Sequence, residues 1–305
     1  MNLVSTVTYQ VVIMFLLAGI GALMFRSGKI SLEGSKSIGS ILVNLSLPAV
    51  IINGFLVKRT PERITGLLLS ALLAAVTLAL AILAAWVCFR KDPMAQFAAA
   101  FSNPGFFGIP IILSCLDNGA IFYIAAYVAF LNLLQWSYGV SLLTGATENI
   151  TPKRLLTAPF VIAIEIGAFF FLTGFPVPGI LAKAVTHLAN LNTPLAMFAT
   201  GVYLAQTDPK KMVRKAVLYK ISVVKLLVVP LLAMVMLALL PKAYFDLKLT
   251  LLIAAACPTG TNIAVYAQLH NQDFGYAVET VAVTTILSLL TLPLVTQLAM
   301  LLWRI

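Results

Sequence analysis

The sequence predicts an all-α integral membrane protein with ten transmembrane helices, and three observations predict it. Hydrophobic residues fill 61% of the 305 positions and charged residues only 10%, giving a mean hydropathy of +1.02. The charges separate apolar stretches of about 20 or more residues, the length a helix needs to cross roughly 30 Å of hydrocarbon. Two of these stretches, one in each half of the chain, are broken near the middle by proline with polar residues beside it.

Taken in order, the spans cover approximately 6–25, 35–56, 64–89, 94–114, 119–143, 155–174, 180–204, 214–240, 249–268 and 275–303. The first follows a stretch without Lys or Arg and ends at Phe25 without a small-residue cleavage site, so it reads as a retained helix and not a signal peptide. The second contains Asn44 and Pro48, and the seventh contains Asn190 and Pro194; without glycine beside them, these prolines read as packing features. The fourth and ninth are the broken ones. The fifth holds Asn132 and Gln135 one helical turn apart, which could line the pathway but read first as interhelical hydrogen-bonding groups. The sixth holds Glu165, the eighth Lys225, and the tenth opens with Glu279. His187, near the end of the seventh, reads as a surface or packing histidine.

Loops after odd-numbered spans carry 12 basic residues, from Arg26 to Lys220, against seven on the other side, from Lys58 to Arg304, with Lys225 inside a span. The positive-inside rule then places the protein in the cell membrane with both termini outside. The net charge of +10 is mostly this cytoplasmic surface and requires no nucleic acid. Cys88, Cys115 and Cys257 have no paired spacing, so neither a disulfide framework nor a metal site is expected.

The chain divides into five spans over 1–150 and five over 151–305. Asn44, Leu45 and Pro48 match Asn190, Leu191 and Pro194 at a constant offset of 146. Pro110 lies 62 residues beyond Pro48 and Pro258 lies 64 beyond Pro194, which places the breaks at equivalent points. An odd number of spans per half inverts the second copy, the arrangement of many secondary transporters.

Neither broken span carries a charge. The first offers Asn103, Pro104, Gly105, Gly108 and Pro110, and the second Pro258, Thr259, Gly260, Thr261 and Asn262. Proline or glycine alone reads equally as a packed kink. The clustering of polar side chains at one depth, Asn103 with Pro104 and Pro258 through Asn262, favours a binding site. If both helices unwind and cross, two amino ends point into one space, each with unpaired amides and about half a positive charge. That suits a small organic anion. Glu165 is a functional candidate because a lone intramembrane carboxylate is costly; protonation or pairing with Lys225 would also satisfy it. Glu165 and Lys225 are therefore candidates for coupling, with H+ or Na+ as the coupled ion and no cofactor.

The run from Asn103 to Pro110, Asn-Pro-Gly-Phe-Phe-Gly-Ile-Pro, resembles the segment-four signature of the auxin efflux carrier family, and Cys257 to Gln268 resembles its segment nine. The resemblance spans essentially the whole chain, with Pro104 a departure. It implies two inverted five-helix repeats with crossed helices four and nine. Helices 1, 2, 6 and 7 would form a scaffold, often dimeric, and helices 3–5 and 8–10 a moving domain. Transport would follow an elevator motion, with carboxylates such as malonate or auxin-like acids as substrates. The crossover residues it implies are Asn103, Pro104, Pro110 and Pro258, with Thr259 and Asn262 nearby. A sodium- or proton-coupled symporter or antiporter of the bile-acid type is the alternative. An intramembrane enzyme lacks a catalytic constellation here: there is no Gly-x-Ser-x-Gly, aspartate pair or His/Glu cluster in the spans. A receptor or channel gains no support from twin breaks.

Overall fold

A computed structural model of the chain describes residues 2–116, 118–145 and 157–303. In chain order its helices are α1 (Leu3–Arg26), α2 (Leu32–Phe55), α3 (Pro61–Cys88), α4 (Pro93–Ala100), α5 (Pro104–Cys115), α6 (Ile121–Thr144), α7 (Pro159–Thr173), α8 (Gly179–Asn190), α9 (Asn192–Ala205), α10 (Ala216–Ala238), α11 (Phe245–Ala256), α12 (Asn262–Leu269) and α13 (Phe274–Trp303). Six of them, α1, α2, α3, α6, α10 and α13, are long and apolar enough to cross a membrane. Each expected span falls on one helix or on a pair, the fourth, seventh and ninth being pairs. Residues 155 and 156, together with Lys153, Arg154 and Arg304, lie outside the described residues.

Local chemistry explains the helix starts. Proline at the first helical position loses nothing, because its missing amide would have no partner there. Pro61, Pro93, Pro104 and Pro159 all take that place. The preceding residue then caps: Thr60 Oγ1 accepts from the Arg63 amide at 3.3 Å and Asp92 Oδ1 from the Ala95 amide at 2.9 Å.

α1 packs along α9 with the two backbones in contact. A Cβ on Gly201 would lie 2.0 Å from the Ala18 carbonyl oxygen, and one on Gly21 would lie 2.7 Å from Phe198 Cα. Where lipid gives no hydrophobic drive between helices, such small residues let van der Waals packing hold them together. The second half of α2 packs against α7 and α8, and Ser46 Oγ donates to the Leu188 carbonyl at 2.9 Å. In the rest of the molecule α3 packs on α6 and α4, and α10 on α13 and α11. At the centre are the two short helices that precede the breaks: every residue of 94–102 and of 247–261 is buried. Helices apolar on all sides belong in such a position, and the alanines at 98–100 and 254–256 let neighbours approach closely.

Because backbone and not a flexible side chain faces Gly201, Gly201→Ala will destabilise the protein by about 1–3 kcal/mol. Gly19 has nothing within 4 Å of its would-be Cβ. Gly19→Ala in the same helix pair will therefore leave the melting temperature in detergent unchanged, while Gly201→Ala lowers it by several degrees.

Candidate functional site

The two interrupted helices meet at their breaks. A residue before proline is pushed out of the helical region. Asn103 (φ −112°, ψ 61°) precedes Pro104, and Cys257 (φ −59°, ψ 150°) precedes Pro258. The short extended stretches then run antiparallel past one another. The Asn103 amide donates to the Pro258 carbonyl at 2.9 Å, the Gly260 amide donates to the Phe101 carbonyl at 3.0 Å, and Ser102 faces Thr259 between them. Each break thus satisfies backbone groups freed by the other, which a hydrocarbon surrounding demands. Gly260 makes the approach possible, since a Cβ there would lie 2.9 Å from the Ser102 carbonyl oxygen.

Side chains from surrounding helices lock the crossing. Thr259 Oγ1 donates to the Ala98 carbonyl at 2.9 Å, and its amide donates to Thr284 Oγ1 of α13 at 3.2 Å. Ser102 Oγ and the Tyr127 hydroxyl of α6 lie 3.3 Å apart. Asn262 Nδ2 donates to Gln135 Oε1 of α6 at 2.9 Å.

Pro110 does not mark a break, contrary to the equivalence with Pro258 expected from spacing. The interruption is at Phe101–Asn103, and Pro110 lies inside α5. α5 opens with a wide π-turn, Pro104–Gly108, in which the Ile109 amide reaches back to the Pro104 carbonyl. The next carbonyl, Gly105, would be served by residue 110, but proline has no amide hydrogen. Asn192 of α9 supplies the donor instead, Nδ2 to the Gly105 carbonyl at 3.2 Å.

A cavity of about 80 Å³ lies against the crossing. Of the residues predicted for the site, Asn103, Pro104, Gly105, Gly260, Thr261 and Asn262 line it. Gly108, Pro110, Pro258 and Thr259 do not line it. Val43 and Leu47 of α2, Asn132 of α6 and Phe160 of α7 close the wall, with no charged side chain among the lining residues. A cleft of about 410 Å³ adjoins it, shares Val43, Phe106, Thr261 and Asn262, and extends between α2, α9 and α12 to Lys36, Gln206 and Gln268. Among the described residues no group of three His, Cys, Asp or Glu is placed to hold a metal ion.

The pairing of Glu165 with Lys225 is not formed. α7 turns Phe160, Ala163, Gly167 and Phe171 inward, and Glu165 is exposed on another face. Lys225 is 0% exposed in a π-turn of α10, Val224–Val228, and its Nζ donates to the Ala255 carbonyl at 3.3 Å. Glu279 pairs with Lys215, and His187 is exposed as expected. Asn132 Nδ2 bonds within its own helix, to the Val128 carbonyl at 2.8 Å, while Gln135 makes the expected interhelical bond. Asn192, Tyr127 and Thr284 were not anticipated. For Asn192 the sequence held a cue: a proline inside a helix leaves a carbonyl that needs a donor from elsewhere.

A bundle of apolar helices around a polar, charge-free crossing defines a multi-pass membrane transporter. Residues 146–296 match the family described as membrane transport protein. The chain is 27% identical over 278 residues, 85% of each chain, to a Rhizobium meliloti protein provisionally named a malonate transporter. It is 25% identical over 296 residues, 94% of this chain and 96% of the other, to an uncharacterised transporter of Methanothermobacter thermautotrophicus. The match over 146–296 and the two transporter relatives agree with the resemblance to the auxin efflux carrier family that segments four and nine carry.

Two outcomes follow from the site geometry. Asn192→Ala strips the donor from a buried carbonyl and will cost about 1–3 kcal/mol. In a Pro110→Ala background the new amide takes over the Gly105 carbonyl, so a double-mutant cycle by denaturation in detergent will show a smaller cost for Asn192→Ala. Glu165→Gln, on an exposed face away from the crossing, will leave the pH profile of transport unchanged.

Proposed function

We propose that the protein is a secondary transporter that carries small organic anions, carboxylates such as malonate or auxin-like acids, across the cytoplasmic membrane. The observation that carries this reading is the convergence of two helix amino ends, those of α5 and α12, on one cavity without charged side chains. Each end presents backbone amides and about half a positive charge. Oxygens of an anion are the groups those amides and the side chains of Asn103, Thr261 and Asn262 are suited to receive. The buried Nε2 of Gln135 has no hydrogen-bond partner. It lies 3.3 Å from where a Cβ on Gly260 would be, so a further donor stands beside the cavity. A volume of about 80 Å³ suits a small acid or a carboxylate head. The name of the Rhizobium meliloti relative points to the same substrate class.

The fold read this way is ten transmembrane helices in two inverted repeats, 1–150 and 151–305. Packing supports the division implied by the family. α1 packs on α9 through the Gly21 and Gly201 contacts, α2 packs on α7, α8 and α9, and these five form the scaffold. α3–α6 and α10–α13 surround the crossing and move as one body in an elevator cycle. The exposed face of α7, where Ile162, Ile166 and Phe169 surround Glu165, is where two scaffolds would meet in a homodimer. With both termini outside, the 410 Å³ cleft ending at Lys36 opens to the cytoplasm.

Reconstituted protein will take up or release labelled malonate, and Asn103→Ala will reduce the rate at least tenfold at unchanged yield. In a thermal-shift screen carboxylates will stabilise the protein and amines will not. Stabilisation by amines alone would overturn the anion reading.

A further inference from the structure

Lys225 is a buried lysine that the crossing, as described so far, does not use. Its turn packs against α3, α4, α11 and α13. The carboxylates those helices carry or are capped by all lie at helix ends. Glu62 is in the first turn of α3, and Asp92 caps α4 and accepts from the Tyr276 hydroxyl. Asp246 is in the first turn of α11, nine residues before Ala255; Asp273 caps α13, accepting from the Tyr276 amide, and Glu279 of α13 pairs with Lys215. At 1.5 Å per residue, Asp246 sits roughly 13 Å along the helix from the carbonyl that Lys225 touches. Among the described residues none of the four helices packed on the Lys225 turn carries a carboxylate in its middle, and the mid-helix Glu165 is exposed on α7, which is not among them.

What its Nζ does touch is the carboxyl end of α11, where carbonyls and the negative end of the helix dipole favour a positive charge. Two residues further on is Cys257, buried completely, with its sulfur 3.0 Å from where a Cβ on Gly108 would be. The amine therefore holds the end of α11 two residues before Cys257, where the break begins. Carbonyls at an unwound helix are also the groups with which membrane transporters hold Na+.

We propose that Lys225 is the resident cation of the crossing, a positioning residue that supplies the positive charge opposite a bound carboxylate and so makes anion binding independent of sodium. The inference rests on the carboxylate reading above. Lys225 does not line the cavity; it holds the end of α11 and offsets the substrate's charge through a low-dielectric interior, where such an interaction is weakly screened.

Malonate binding to the full-length protein, measured calorimetrically in detergent in NaCl and in choline chloride, decides the matter. Wild type is expected to bind with the same Kd in both salts. Lys225→Gln is expected to bind at least tenfold more weakly, and Lys225→Arg to stay within a few-fold of wild type. A wild-type Kd that depends on sodium overturns the proposal without reference to any variant. So does Lys225→Gln binding as tightly as wild type. If Lys225→Gln does not fold, the proposal stands or falls on the wild-type salt comparison and on Lys225→Arg. Wild type that binds neither malonate nor any other small carboxylate in either salt overturns the carboxylate reading itself and this inference with it. Wild-type binding with an unaffected Lys225→Gln overturns this inference alone.

Discussion

The rest of the structure depends on a two-residue antiparallel pairing in which each broken helix supplies the hydrogen-bond partners the other lacks. Ending a helix inside a bilayer exposes groups that cost several kcal/mol each. The bonds from Asn103 to Pro258 and from Gly260 to Phe101 remove that cost symmetrically. The pairing also sets the surroundings. Because it is made by backbone, it needs a glycine at the contact and alanines in the helices leading to it. It also needs hydroxyls and amides from α6, α9 and α13 to anchor it, and it leaves no reason for a charged side chain in the cavity.

Polar groups elsewhere in the core follow the same logic. Thr259 is used twice, as donor through its hydroxyl and through its amide, and so fastens α4, α11 and α13 together. Asn192 joins the α1–α9 pair to α5 through one hydrogen bond to the Gly105 carbonyl. That contact crosses from the group of helices holding α1 to the group holding the crossing. Any movement of one group past the other must exchange it for another donor or for water.

Much of this was legible in the sequence. Charge spacing and apolar length placed the helices, because hydrocarbon imposes a length that composition reveals. Proline followed by small and polar residues marked both interruptions, and Pro104 and Pro258 do stand at them. The position of Pro110 misled, since its distance from Pro48 matched that of Pro258 from Pro194, yet a π-turn and a borrowed amide absorb it within a helix. Sequence spacing counts residues and does not see a turn that holds an extra one. Glu165 and Lys225 looked like partners because both are charges within spans; which face of a helix is covered depends on neighbours far away in the chain. Gln135 was seen as an interhelical donor or acceptor, but its partner, Asn262, is 127 residues away and becomes visible only in three dimensions.

Among the described residues four helices contain π-turns, Leu42–Ser46, Pro104–Gly108, Gln135–Gly139 and Val224–Val228. Each carries one partner of a long-range contact: Ser46 to Leu188, Gly105 to Asn192, Gln135 to Asn262 and Lys225 to Ala255. A π-turn accommodates one additional residue while the helix on either side keeps its course, and such turns are frequent at functional sites. These helices therefore have a length that can change by one residue at the depth of the crossing without displacing their ends. Ancestry could add or remove a residue beside the substrate while the loops, caps and lipid-facing surfaces stayed where they were.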